Sequence, residues 1–117
     1  MRTTYKFTGT PNWLNDSTID LLTDFRIACG NLAERIGCLC DIRAYFDYNW
    51  FCASFETDRF GGIAAIVKYI EREGQWYLNE EKVASMDEAL AGVPELYEDL
   101  LSKRDLHEVY ERINEEY

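Results

Sequence analysis

The hydrophobic period of this chain changes at Gly37, and that change restricts the fold more than any single motif does. Before it, Ile19, Leu22, Phe25, Ile27, Cys29, Leu32, Ala33 and Ile36 recur at roughly helical spacing, and most of them share one apolar stripe. After it, Cys38, Cys40, Ile42, Ala44 and Phe46 alternate with Leu39, Asp41, Arg43, Tyr45 and Asp47, the period of two of a strand with one buried face. A helix followed by a strand is therefore predicted. Gly37 is placed to end the helix in the left-handed region that a residue without a Cβ adopts freely. Ser17 is the expected N-cap, and Asp16, Asp20 and Asp24 sit where the helix dipole favours negative charge.

The remaining elements follow from turn chemistry. Thr3 to Thr8 is rich in β-branched and aromatic residues and reads as a first strand, closed by Gly9-Thr10-Pro11-Asn12. Tyr48-Asn49 reads as a tight turn into a partner strand from Trp50 to Glu56. Residues 63–72 fit either a helical stripe or a strand. The strand is favoured, because Glu73-Gly74 followed by Gln75-Trp76-Tyr77-Leu78 has the form of a hairpin and its return. Ser85, with Glu88 three residues later, makes a capping box that opens a helical tail. Pro94 is expected to restart the helix at Glu95, and Asp105 to cap a last one. The expectation is one α+β domain over 1–117: an antiparallel sheet of about 4–5 strands, one helix packed on it, and two to three acidic C-terminal helices.

Charge is the second constraint. The 117 residues carry a formal net charge of −10. Residues 86–117 hold ten acids (among them Glu95, Glu98, Asp99, Asp105, Glu108, Glu111 and Glu115) against Lys103, Arg104 and Arg112, a net of −7. Such a field repels nucleic acid and anionic membranes and attracts basic partners, so direct nucleic-acid or membrane binding is not expected. Met1-Arg2 leads into Thr3-Thr4-Tyr5-Lys6 rather than an apolar run, and the longest apolar stretch, Ile63 to Val67, is too short to span a bilayer. A cytoplasmic protein of a bacterium or an infected host cell is expected.

No residue set points to catalysis or to a cofactor. Cys38 and Cys40 lie on one strand face, and Cys29 and Cys52 would complete a four-sulfur zinc site. The spacing is not that of zinc knuckles, however, and the same face carries Ile42, Ala44 and Phe46, so free buried thiols are expected. His107-Glu108 lacks the second histidine of a zinc-protease helix, and no nucleophile stands beside a base. Carboxylates one helical turn apart are about 5–6 Å from each other, near the spacing of successive phosphates on a nucleic-acid strand. An acidic helix of this kind is equipped to occupy the cationic groove of a nuclease or a nucleic-acid-binding complex. The expected partner surface is Glu95, Glu98, Asp99, Asp105, Glu108, Glu111 and Glu115, with Tyr48, Trp50 and Phe60 as aromatic anchors in loops.

In size, charge and lack of catalytic apparatus the chain looks like small acidic inhibitors, namely immunity proteins that neutralise nuclease toxins and the anti-CRISPR or anti-restriction proteins of phages. That likeness is one of type and transfers no residue. It implies a stoichiometric inhibitor of a basic protein or nucleoprotein complex. Two other classes are expected to leave different marks. An accessory subunit or homodimer needs an exposed apolar patch, and a small enzyme or ligand-binding domain needs a pocket holding carboxylates such as Asp41, Asp47 or Glu56.

Overall fold

The computed structural model describes residues 3–10, 16–57 and 62–103. Its elements are β1 (Thr3–Thr8), α1 (Asp16–Ile36), β2 (Leu39–Tyr45), β3 (Trp50–Glu56), β4 (Ile63–Ile70), β5 (Gln75–Leu78), β6 (Glu81–Val83) and α2 (Met86–Ala91). A further helical stretch, α3, covers 93–103. The class is α+β.

The six strands lie in one sheet in the order β1-β2-β3-β4-β5-β6. The expected all-antiparallel meander of 4–5 strands is corrected in two ways. First, β1 pairs with β2 in parallel, Thr3 facing Cys40 and Thr8 facing Tyr45. The 21-residue α1 stands between them and returns the chain to the starting end of the sheet, as a parallel pair requires. Second, Asn79 and Glu80, with φ of 48° and 70°, make a two-residue turn that adds β6 as a sixth strand. The other pairings, β2 through β6, are antiparallel.

Residues 63–70 are strand, as favoured. Gly74, at φ 63°, closes the turn by donating its N–H to the Ile70 carbonyl at 2.9 Å. Gly37 ends α1 at φ 74°, with its N–H on the Ala33 carbonyl at 2.9 Å. Ser17 is already helical rather than a cap. Pro94 lies in the first turn of α3, where its missing N–H costs nothing. The helix expected after Asp105 lies outside the described residues.

The helices cover one face of the sheet. Phe25 of α1 meets Phe51 with ring centroids 5.0 Å apart and Trp76 at 5.5 Å, and Phe51 meets Tyr69 at 5.2 Å. Ile42, Ala44, Ala53, Phe55, Ala65 and Val67 complete this face, and Ala89, Val93 and Tyr97 bring α2 and α3 onto the same core. All four cysteines are free and buried. Among the described residues no helix is long and apolar enough to cross a membrane.

Two local features carry testable costs. Ser85 accepts the Glu88 N–H at 3.1 Å, and the Glu88 carboxylate in turn accepts the Ala84 N–H, the predicted capping box shifted one residue on its return bond. Ser85→Ala is expected to cost about 1 kcal/mol in urea denaturation. Gly9 stands at φ +93°, and a Cβ there would lie 2.7 Å from the Asp47 carboxylate carbon. Asp47 is exposed and can swing aside, at the cost of the bond it accepts from the Thr10 N–H at 3.2 Å. Gly9→Ala therefore combines backbone strain with the loss of that bond, and a loss of roughly 1–3 kcal/mol is expected in the same measurement.

Candidate functional site

Two surfaces compete for a functional role: the outer side of α3 and the face of the sheet that no described helix covers. On α3, Val93 and Tyr97 are buried, while Leu96 and Leu101 pack against the core. That packing turns Glu95, Glu98 and Asp99 outward together, and all three are exposed. At positions i, i+3 and i+4 they share one helical face. None of the three forms an ion pair with a described cation. The row adjoins the short hairpin of β5 and β6 through Leu78, Asn79 and Glu81, and the start of β4 through Ile63.

The other predicted contacts are placed elsewhere. Tyr48 is 70% exposed in the turn between β2 and β3. Trp50 is not in a loop: it opens β3, half buried, with its ring stacked on Tyr45 at a centroid distance of 4.5 Å. Trp50 faces Ile70, whereas Ile63 lies at the opposite end of β4. The two aromatics and the acidic row are thus separated by about a strand length, on the order of 20 Å. Phe60, Asp105, Glu108, Glu111 and Glu115 lie outside the described residues.

The sheet face without a described helix holds a feature that local pattern did not disclose. The register links Lys6, Arg43, Cys52, Lys68, Tyr77 and Lys82 in one row across all six strands. Four of the chain's 12 Lys and Arg side chains therefore share a row. Arg43 is neutralised locally, its Nε donating to Asp41 Oδ2 at 2.7 Å, while Asp41 Oδ1 accepts from the Thr4 hydroxyl at 2.8 Å. Lys68 stands between two rings, its Nζ 5.5 Å from the centre of Trp50 and 5.3 Å from that of Tyr77. Each contact of this kind contributes about 0.5–1 kcal/mol at an exposed site. A hollow of about 390 Å³ opens over this region, lined by Arg43, Trp50, Cys52, Lys68, Asp41 and Glu56 among others.

Compared with known proteins, the chain matches no family model, no curated protein and no solved structure.

What these surfaces can do is therefore read from their chemistry. Asp41 and Glu56 do border the hollow, but Asp47 does not; it sits against Gly9 at the end of β1. The hollow is open and partly polar, and the ring faces of Trp50 are occupied by Tyr45 and Lys68. Burial pushes the Cys52 thiol up to about 11, with nearby Asp41 adding to the rise against Arg43 and Lys68, so it is a neutral thiol at physiological pH rather than a thiolate nucleophile. Cys29, Cys38 and Cys40 are on the helix side of the sheet and Cys52 on the other, so the strands divide the four sulfurs rather than gather them. Among the described residues no group of three or more His, Cys, Asp and Glu side chains converges on a metal position.

Proposed function

We propose that this protein acts by occupying a basic protein surface, as a stoichiometric inhibitor with no reaction of its own. The observation that carries this reading is the exposed row of Glu95, Glu98 and Asp99 on a helix whose opposite side is locked into the core by Val93 and Tyr97. Carboxylates held on a rigid helix lose little freedom on binding, so their charge is available for recognition rather than offset by ordering. Their separation of about 5–6 Å suits a groove that otherwise holds a phosphate backbone. The partner class is therefore a basic nuclease or nucleic-acid-binding complex, and the setting the cytoplasm of a bacterium or infected host. Charge sets the approach and the choice of partner, while exposed aromatics such as Tyr48 add contact area at some distance from the row.

The test is a paired capture experiment. Tagged wild type and a Glu95→Lys/Glu98→Lys/Asp99→Lys variant are used as bait in extracts of the native cell. The wild type is expected to retain one basic protein in stoichiometric amount, and the variant to lose it. Retention of the same protein by both baits, or recovery of no basic protein by the wild type, overturns the reading.

A further inference from the structure

The two edges of the sheet are built differently. β6 is three residues long and presents Glu81 and Lys82 exposed, the usual protection of an edge against further pairing. β1 has six residues, twice the length of β6, and a single charged side chain, Lys6, which lies on the opposite face from Tyr5 and Phe7. Tyr5 and Phe7 are each 42% exposed on its helix side; Ile27 of α1, 59% exposed, lines a hollow with Thr3 and Tyr5, and Ile19, 47% exposed, lies two turns before Arg26 on the same helical stripe, the Arg26 guanidinium covering Tyr5 and Phe7. Four of the seven large exposed hydrophobic residues among those described thus lie at one edge. The Arg26 guanidinium lies 4.2 Å from the Tyr5 ring centre, and its Nε is buried without a hydrogen-bond partner among the described residues.

We infer that β1 is an assembly edge at which a second copy of this chain adds its own β1 antiparallel, fusing two six-stranded sheets into one of twelve. A strand-adding occupant needs an extended segment with apolar residues on alternate positions, and Thr3 to Thr8 is such a segment, always present at the protein's own concentration. The symmetry also closes. A two-fold axis normal to the sheet keeps each side chain on its own face, so it must pass through a residue position, never between two. Tyr5 and Lys6 are the positions that pair five residues of each strand. At Lys6 two ammonium groups would face each other, which is unfavourable. At Tyr5 the two tyrosines face each other, Lys6 meets the partner's Thr4, and Phe7 meets the partner's Thr3.

Area and charge agree with this. Tyr5, Phe7, Ile19 and Ile27 expose roughly 350 Å² of side chain per copy, and the strand ladder and its flanks bring the interface toward the ~800 Å² per partner of a stable pair. The acidic helix α3 borders β4 and β5, three or more strands from β1 and about 14 Å or more away. Joining at β1 places the two acidic faces at the far ends of the assembly, where they repel least, and the Tyr5-centred register sets each Lys6 against a neutral Thr4 rather than against the other Lys6. This arrangement is independent of the inhibitor reading and leaves both acidic rows free.

The experiment is sedimentation equilibrium of the full chain from low micromolar to several hundred micromolar, with a cysteine scan of β1. The wild type is expected to approach twice the chain mass, and Ile27→Glu, a change at an exposed helical position, to remain at one. Facing residues in an antiparallel pair have Cα atoms about 4.5–5.5 Å apart, within disulfide reach. Under diamide, Tyr5→Cys is expected to form covalent dimers, and Lys6→Cys, which faces the partner's Thr4, is not. A monomer at every concentration overturns the inference. So does a dimer that survives Ile27→Glu and is cross-linked no better at position 5 than at position 6. Should Tyr5→Cys fail to fold, the mass of the Ile27→Glu variant still decides.

Discussion

Phe51→Ala is expected to lower the stability of this protein by about 3–5 kcal/mol. Phe51 is fully buried at the centre of the sheet. Its ring lies 5.0 Å from Phe25, 5.2 Å from Tyr69 and 6.0 Å from Trp76, so it joins α1 to β3, β4 and β5 at once. Removing it forfeits the transfer of a phenyl ring out of water and leaves a cavity between a helix and a sheet that cannot both close inward. The aromatic contacts themselves add about 0.5–1.5 kcal/mol each beyond area. Domains of this size are stable by only about 5–15 kcal/mol in all, so the variant should sit near the edge of folding. Urea unfolding with an unchanged slope and a much lower midpoint is the expected record. A loss below about 1.5 kcal/mol would mean that Phe51 is not the centre of the core.

The second large effect is alkaline. Burial raises the Cys52 thiol from 9.0 to about 11. It also raises Cys29, which in addition hydrogen-bonds to Cys40. Tyr69 is raised by burial, and Tyr77 by its hydrogen bond to Glu73 at 2.6 Å. In every case the folded state holds a proton that the unfolded chain gives up earlier. The contribution to stability is thus fully present below about pH 9 and is lost as pH rises toward about 11. A tenfold change in proton affinity is worth about 1.4 kcal/mol, so Cys52 alone accounts for at most about 2.7 kcal/mol across that window. Stability measured by urea unfolding should fall steeply above pH 9, and less steeply in Cys52→Ala. A flat profile to pH 11 would show that the thiols are hydrated in the native state.

The parts of this fold that were legible in the sequence are those written in local spacing. The break at Gly37 marks where α1 ends, because one residue must turn left-handed there and its neighbours change period at the same point. The hairpins at Tyr48-Asn49 and Glu73-Gly74 and the cap at Ser85 are equally local. Direction and adjacency are not. Thr3 to Thr8 would look the same as a parallel or an antiparallel strand; the sign of its direction was the length of chain, most of it helix, between β1 and β2. β6 escaped because three residues containing Glu81 and Lys82 have no apolar period, although Asn79 is a residue suited to the positive φ that its turn requires. The helical stripe also included Ile19 and Ile27, which face the β1 edge rather than the core, and only the placement of β1 separates them from Leu22 and Phe25.

The candidate sites divide in the same way. Glu95, Glu98 and Asp99 were legible because helical periodicity alone sets them opposite Val93 and Tyr97. The row of Lys6, Arg43, Lys68 and Lys82 was not, since its members come from four separate strands and meet only through the register. The same register took Trp50 out of a loop and put it against Tyr45.

The acidic row of α3 is the element proposed to meet a basic partner, and the function proposed for this chain stands or falls with it. The measurement that tests this most directly is the association rate constant between the captured partner and either wild type or the Glu95→Lys/Glu98→Lys/Asp99→Lys variant, followed by stopped flow from low to high salt. The expected result is a wild-type rate at low salt at least about tenfold above that of the variant, with the two converging as salt screens the charges. Equal rates at low salt, with the variant folded as judged by circular dichroism, would contradict it.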